Sequence, residues 1–143
     1  MPQTSIHEAS PADYFAIAAF YERCGYSGGL EPNDTVLTAV RDGALVGAVR
    51  LTSEQQEVVL RGMQVLPEAQ RQGIGTDLLE ACLDRVSTSG CYCIPWAYLE
   101  AFYASRGFKR CKSADVPTTL SKRFTDYLAA GRDVILMCRE PVD

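Results

Sequence analysis

An apolar run, a glycine-containing turn and an amphipathic helix follow one another between residues 58 and 86. Residues 58–66 are mostly β-branched or apolar without clean alternation, as expected of a strand covered on both faces. Downstream, apolar side chains recur at three- and four-residue steps and predict a helix with one buried stripe. The stripe contains Ile74, Leu78, Leu79, Cys82, Leu83 and Val86, and the opposite face carries Asp77, Glu80, Asp84 and Arg85. A strand that leads through a tight turn into a helix strongly restricts the possible folds.

The turn itself, Gln70-Arg71-Gln72-Gly73-Ile74-Gly75, is suited to binding a pyrophosphate. Backbone N–H groups and the positive end of a helix dipole attract phosphate, and glycines let it approach the backbone closely. Neither common nucleotide motif fits, because no Lys follows Gly75 as in a P-loop and Leu78 replaces the third Rossmann glycine. A G-x-G after a strand can also be a simple strand-to-helix turn.

Two segments resemble the GNAT superfamily of N-acetyltransferases. Residues 70–75 match its R/Q-x-x-G-x-G/A acyl-CoA signature, and Val65-x-Pro67-Glu68 is similar to its strand-to-loop approach. Residues 102–108, Phe-Tyr-Ala-Ser-Arg-Gly-Phe, resemble its F-Y-x-x-x-G-F segment at the family's spacing. The resemblance extends from about Thr35 to Phe108 and implies acetyl-CoA as the acyl donor.

The resemblance also implies how the cofactor would be held. In the family, the fourth and fifth strands separate at a bulge, and the pantetheine arm pairs with the exposed backbone of the fourth strand. The turn amides would hold the pyrophosphate, and Arg71 could add a charge-assisted hydrogen bond. The cofactor-binding candidates are Met63, Gln64, Val65, Gln70, Arg71, Gln72, Gly73, Ile74, Gly75 and Thr76. Since the strand acts through main-chain groups, the side chains of residues 63–65 could equally be ordinary core.

Acetyl transfer from a thioester to an amine needs a hydrogen-bond donor for the oxyanion and a proton for the leaving sulfur. A backbone N–H near Val65 would meet the first need. The resemblance assigns the second to Tyr103 as general acid, although an aromatic residue on this helix could instead be simple packing. The base is left open between Glu54, Glu57 and Glu100, each of which could be a surface acid. His7, the only histidine, is expected to be structural on a first strand.

The sequence departs from the family at two positions. Many members carry Asn seven residues before the tyrosine and Ala four residues before it, where this chain has Trp96 and Leu99. This puts the second CoA contact in doubt. Trp96 could line the acceptor pocket or the pantetheine channel, or fill the core.

Local signals predict alternating strands and helices in a mixed, strongly twisted α/β sheet with helices on both faces, the GNAT-like fold. Strands are expected at residues 5–9, 35–41, 44–51, 58–66, 92–96, 108–111 and 134–138, and helices at 11–24, 74–86, 97–105 and 117–130. Ser10, Pro11 and Asp13 begin the first helix, whose apolar face would include Tyr14, Phe15, Ala18 and Ala19. Asp42-Gly43 predicts a two-residue hairpin turn, and Gly107 a helix C-cap. Residues 26–34 are expected to form a mobile loop, which in the family helps to form the acceptor entrance.

Composition limits the partners and the location. With 143 residues, 47% of them hydrophobic, the chain fits one domain, residues 1–143. A net charge of -4 without a basic run gives no sign of nucleic acid or an anionic membrane as partner. No apolar segment approaches the ~20 residues of a membrane span and no secretory signal begins the chain, so a cytoplasmic protein is expected. The six cysteines, with one distant histidine, are expected to be small buried hydrophobes rather than disulfides or metal ligands.

The sequence therefore predicts an acetyl-CoA-dependent N-acetyltransferase that acts on a primary amine of a small molecule, or less readily on a peptide amine. A non-catalytic acyl-CoA-binding module is the alternative from another class, and a nucleotide-binding protein is a third. A homodimer is expected from the family.

Overall fold

The computed structural model describes residues 3–86 and 89–141. Its strands are β1 Thr4–Glu8, β2 Thr35–Arg41, β3 Ala44–Glu54, β4 Glu57–Val65, β5 Cys91–Cys93, β6 Lys109–Arg110 and β7 Met137–Arg139. Its α-helices are α1 Tyr14–Arg23, α2 Ile74–Val86, α3 Glu100–Ala104 and α4 Thr118–Ala129. The seven strands form one sheet in the order β1-β2-β3-β4-β5-β7-β6, and the predicted mixed α/β fold is confirmed.

The predicted order of elements is confirmed, but several are shorter than predicted. The first and third predicted helices each begin with a 3-10 turn, at Pro11–Asp13 and Ala97–Leu99. The strand predicted at 92–96 ends at Cys93, two residues before Pro95, which has no N–H for a sheet ladder. The strand predicted from residue 134 begins at Met137, and Val134 makes only an isolated bridge with Trp96.

The chain folds as two compact units, the first comprising residues up to Thr52 together with Leu60–Arg85. In this unit β2 pairs with β1 and β3 in antiparallel register. The predicted hairpin turn is confirmed, since Asp42 and Gly43 have φ values of 53° and 78°, as a type I′ turn requires.

The predicted buried face of α1 is largely wrong. Phe15 is 89% exposed and Ala18 and Ala19 are also exposed, whereas Ile17, Phe20 and Tyr21 form the core together with Val36 and Ala48. Of the predicted face, only Tyr14 packs against this cluster. Because α1 is apolar almost all around, its periodicity does not define one buried side.

The predicted stripe of α2 is confirmed, with Ile74, Leu78, Leu79, Cys82 and Val86 buried and Leu83 half-buried. The helix lies close to β3 at Gly47. A Cβ placed there would stand 3.0 Å from Leu78 Cδ1 and 3.2 Å from Ile74 Cγ2. The absence of a side chain at Gly47 therefore allows the close approach of helix and strand.

The second unit comprises Ser53–Val59 and the chain from Val86 onward. Val59, Leu120 and Leu136 form its core, and β7 pairs in antiparallel register with β5 and β6. Gln55 Oε1 accepts hydrogen bonds from the N–H of Thr119 and the hydroxyl of Thr118, at 3.1 Å each, at the start of α4. These bonds satisfy backbone donors that the first turn of a helix leaves free.

Candidate active site

The strand expected to contact pantetheine carries an irregularity immediately before the predicted residues. Gly62, inside β4, has a φ of 66°, a conformation that suits glycine and is typical of a bulge. A Cβ at Gly62 would lie 3.0 Å from both Tyr21 Oη and Tyr26 Cζ. Met63, Gln64 and Val65 follow it and are half-buried. The prediction from sequence did not single out Gly62, although a glycine inside an apolar strand is a known signal of a bulge.

The turn after β4 is braced by its own side chains. Gln70 Nε2 donates to the carbonyl of Val65 at 2.9 Å, and Gln72 Nε2 donates to that of Glu68 at 3.2 Å. A 3-10 turn at Pro67–Ala69 lies between Val65 and Gln70. Both side-chain amides bond to the backbone of the turn and fix its path.

The turn then presents free backbone donors at the start of α2. The N–H of Asp77 bonds to the carbonyl of Gly73 at 3.0 Å, so Ile74, Gly75 and Thr76 occupy the first helical positions. The N–H groups of those positions have no acceptor within a helix, and the dipole makes that end positive. Gly73 has a φ of 84°, and no atom lies within 4 Å of the position its Cβ would take. This exposed, open end fits a pyrophosphate.

Arg71 stands in the same turn with a φ of 63°. The left-handed region costs an L-residue with a side chain roughly 1–2 kcal/mol. The side chain of Arg71 is exposed. The strained backbone therefore has no packing reason at this position, and it places a positive charge at the rim of the turn.

Tyr103 lies on α3 and is only 3% exposed. Its ring packs edge-on against Phe102 and Phe108, with centroid distances of 5.0 and 5.6 Å. The helix ends at Ala104, and the turn after it closes at Gly107, the predicted cap, whose φ is 92°. The F-Y-x-x-x-G-F motif thus builds an aromatic cluster around Tyr103, and packing and proton transfer both remain roles for this residue.

The candidate bases have different environments. Glu54 accepts a short hydrogen bond from Arg123, and Glu100 accepts two from Arg110 at 2.8 and 2.9 Å. Hydrogen bonds from Arg110 hold the pKa of Glu100 below its ordinary value, which weakens it as a base. Glu57 is half-buried at the start of β4. His7 lies on β1 as predicted, exposed and 2.7 Å from Ser5 Oγ through its Nε2.

Trp96 and Leu99 flank the 3-10 turn before α3. Trp96 is 44% exposed, so it does not simply fill the core, while Leu99 is half-buried.

The structure adds a buried ion pair that the sequence prediction missed. Arg50, on β3, has a fully buried side chain and donates from Nε to Asp34 Oδ2 at 2.7 Å and from Nη1 to Tyr26 Oη at 2.7 Å. Burial lowers the pKa of Arg50, but the hydrogen bonds and charges of Asp34 and Tyr26 together raise it above its ordinary value, so the group stays charged. An arginine within an apolar strand was the available signal, but its partner is 16 residues away. The pair fixes the last residue of the predicted loop.

A cavity of about 590 Å³ lies beside this network, between α1 and the irregular segment after it. Its lining includes Ala18, Tyr21, Glu22, Tyr26, Ser27 and Leu30. Tyr21 Oη donates to the carbonyl of Gly62 at 2.8 Å, which connects the cavity wall to the bulge of β4.

A family model described as Acetyltransferase (GNAT) domain matches residues 32–110, which is more than half of the chain and includes both sequence motifs. The chain belongs to the GNAT acetyltransferase family. The resemblance inferred from the two motifs is thereby confirmed, and with it the prediction of an acetyltransferase domain. No curated protein sequence matches the chain significantly.

Solved structures support the GNAT fold. N-acetylglutamate synthase from Neisseria gonorrhoeae, complexed with coenzyme A and N-acetyl-glutamate, superposes with a TM-score of 0.74 at 23% identity over 99% of this chain. The chain spans only 36% of the length of that synthase. The ribosomal-protein-S18-alanine N-acetyltransferase from Escherichia coli superposes with a TM-score of 0.73 at 21% identity. The match covers 99% of this chain and 95% of the Escherichia coli chain. Arabidopsis thaliana Naa50, in complex with the bisubstrate analogue CoA-Ac-MVNAL, gives 0.69 at 16% identity over 96% and 98% of the two chains.

The Neisseria gonorrhoeae and Arabidopsis thaliana structures are complexed with coenzyme A and with a CoA-containing bisubstrate analogue, respectively. Across residues 3–86 and 89–141, no group of three or more His, Cys, Asp or Glu side chains is arranged to hold a metal ion. None of the six cysteines, all of which lie in the described residues, forms a disulfide. In the part of the chain that the structure describes, no helix has the length and apolar character to cross a membrane.

Proposed function

We propose that this chain transfers the acetyl group of acetyl-CoA to a primary amine of a small molecule by direct attack of the amine on the thioester. The observation that supports this most is the open turn at residues 70–76. It combines the family signature with helix N–H groups that have no acceptor within the helix and with glycine backbone, as a pyrophosphate site requires.

The proposed cofactor contacts divide between strand and turn. The main chain of Met63, Gln64 and Val65, just after the irregularity at Gly62, pairs with the pantetheine arm. The backbone from Gln70 to Thr76 binds the pyrophosphate. Arg71, at the exposed rim, adds a charge-assisted hydrogen bond to a phosphate oxygen.

The proposed chemistry makes one C–N bond and breaks one C–S bond. Acetyl-CoA supplies the acetyl group as a thioester. A backbone N–H near Val65 stabilises the oxyanion, and Tyr103 Oη gives its proton to the departing sulfur. The amine loses one proton to solvent or to a carboxylate such as Glu57, and this proton balances the one that Tyr103 donates.

Tyr103→Phe tests the general acid without removing the ring from its aromatic cluster. Loss of proton transfer should lower kcat by about 10²- to 10⁴-fold. The KM for acetyl-CoA should change little. Tyr98→Phe is the matched control, because it removes the same hydroxyl from a tyrosine that is 81% exposed. Unchanged turnover of Tyr103→Phe at all pH values would show that Tyr103 only packs.

A peptide amine is the second candidate acceptor. The superposition with the Escherichia coli ribosomal-protein-S18-alanine N-acetyltransferase covers nearly the whole length of both chains. N-acetylglutamate synthase is much longer than this chain. A panel of small amines and short peptides, assayed for thiol release at saturating acetyl-CoA, separates the two. Binding of CoA without thiol release from any amine would favour the non-catalytic acyl-CoA-binding module. Homodimer formation and cytoplasmic residence stay predictions.

A further inference from the structure

The cavity between α1 and the segment after it has walls suited to one class of amine. Its volume of about 590 Å³ falls in the range of roughly 300–1,000 Å³ typical of small-molecule sites. Ala18, Leu30 and the rings of Tyr21 and Tyr26 line it. An apolar or aromatic body would lose its hydration there and gain contact with the rings.

The aromatic walls are fixed from behind. Tyr21 bonds to the carbonyl of Gly62 at 2.8 Å, and Tyr26 accepts a hydrogen bond from Arg50 at 2.7 Å. The two rings stand 4.6 Å apart at 50°. The ring of Tyr21 is only 2% exposed and supports the half-buried ring of Tyr26. Because the Tyr26 hydroxyl is engaged by Arg50, Tyr26 offers mainly its apolar surface to an occupant.

The charge at the cavity is negative. Among the described residues that line the cavity, Glu22 is the only one with a carboxylate, and none is Lys, Arg or His. Glu22 is exposed. Arg50 does not contribute a positive charge, because its side chain is fully buried and paired with Asp34. A cation is attracted both by the Glu22 carboxylate and by the accessible face of the Tyr26 ring.

The cavity also lies next to the proposed thioester site. A Cβ at Gly62 would meet Tyr21 and Tyr26 at 3.0 Å, so the cavity wall touches β4 one residue before Met63. An amine that enters the cavity therefore arrives beside the strand that the proposed function assigns to pantetheine.

We propose that the acceptor is an arylalkylamine without a carboxylate, whose ring packs against Tyr26, Ala18 and Leu30 and whose ammonium group is drawn in by Glu22 before it is deprotonated. This proposal rests on the proposed function for the acetyl transfer, but it predicts amine binding independently of turnover. An acidic acceptor would be repelled by Glu22.

The test compares phenethylamine with L-phenylalanine, which has the same ring and amine plus a carboxylate. Binding to the full chain in the presence of CoA is measured by ligand-observed NMR, and thiol release is measured separately with acetyl-CoA. Phenethylamine should bind at least about tenfold more tightly, a difference of about 1.4 kcal/mol. Glu22→Gln should weaken its binding about threefold to fivefold at low salt and less at high salt. Asp84→Asn, an exposed acid on α2, is the control and should have no effect.

Two alanines on α1 give a second matched pair. Ala18 lines the cavity and Ala19 does not, and both are exposed, so leucine at either position leaves the core intact. Ala18→Leu should reduce phenethylamine binding about tenfold or more and Ala19→Leu should not. Equal binding of the two ligands, tighter binding of phenylalanine, or insensitivity to both Glu22→Gln and Ala18→Leu would overturn the proposal. Selective phenethylamine binding without thiol release would uphold the cavity assignment and refute the proposed transfer instead.

Discussion

Replacing Asp34 with alanine should destabilise this protein far more than breaking a surface ion pair of equal length. The Arg50–Asp34 pair has a 2.7 Å Nε–Oδ2 distance and side chains that are 0% and 3% exposed. The Arg85–Glu8 pair is nearly the same length, 2.8 Å, but its side chains are 43% and 52% exposed. The two pairs share chemistry and distance and differ in burial.

The magnitude follows from what Asp34→Ala leaves behind. Within the described residues Arg50 Nη2 already has no hydrogen-bond partner, so only the bond from Nη1 to Tyr26 would remain. The N–H of Glu31 would also lose its acceptor, Asp34 Oδ2. Removing one partner of a buried pair costs about 3–5 kcal/mol, because the other charge stays buried and uncompensated. Glu8→Ala should cost at most about 1 kcal/mol.

Urea unfolding followed by circular dichroism at neutral pH measures both changes. The denaturation midpoint of Asp34→Ala should fall with little change in m-value, which would show that stability rather than compactness changed. The double variant Arg50→Met with Asp34→Leu should recover much of the loss, since it removes both charges. Similar losses for Asp34→Ala and Glu8→Ala would refute the argument that burial decides the strength of this pair.

Three further predictions concern the turn, the helix and the thiols. Arg71→Gly should raise the free energy of unfolding by about 0.5–1 kcal/mol, because glycine adopts the left-handed backbone without strain. The same change should raise the Kd for acetyl-CoA about fivefold, because the charged hydrogen bond is lost. Calorimetry of the variant and the wild type measures both changes. Gly47→Ala should cost about 1–3 kcal/mol in urea unfolding, because the new Cβ would press on α2, and a midpoint equal to wild type would contradict this close packing. Burial raises the pKa of the Cys111 thiol from 9.0 to about 12. The free energy of unfolding should therefore keep its full value below pH 9 and fall between about pH 9 and 12. The fall should be less steep in Cys111→Ala, and unfolding measured across that pH range tests this.

Features that depend on neighbouring residues were predictable from the sequence. The stripe of α2, the Asp42-Gly43 turn and the cap at Gly107 follow from periodicity or from a glycine where φ is positive. The signature turn at residues 70–75 belongs to the same class, because one short segment supplies both the backbone donors and the helix that orients them. Family membership was inferred from this turn and the Tyr103 motif, both of which are local.

Features that depend on distant residues needed the tertiary structure. Arg50 pairs with Asp34, 16 residues away in sequence, and Glu54 pairs with Arg123, 69 residues away. No local sequence pattern indicates either pair. The two-residue connection between β3 and β4 uses Gln55 and Gln56 in left-handed conformations without a glycine to mark it.

The helix α1 shows the division most clearly. Its sequence determined that a helix would form after Ser10, since Asp13 accepts the Ser10 N–H as predicted. Packing alone decided that Ile17 would be buried and Phe15 would be exposed. A helix that is apolar on several sides can bury any of them, and the free energy depends on the shape of the surface that it meets. That choice also placed Tyr21 and Glu22 at the cavity. The local sequence therefore determined the signature turn of the GNAT family, whereas the packing of α1 shaped the proposed amine site.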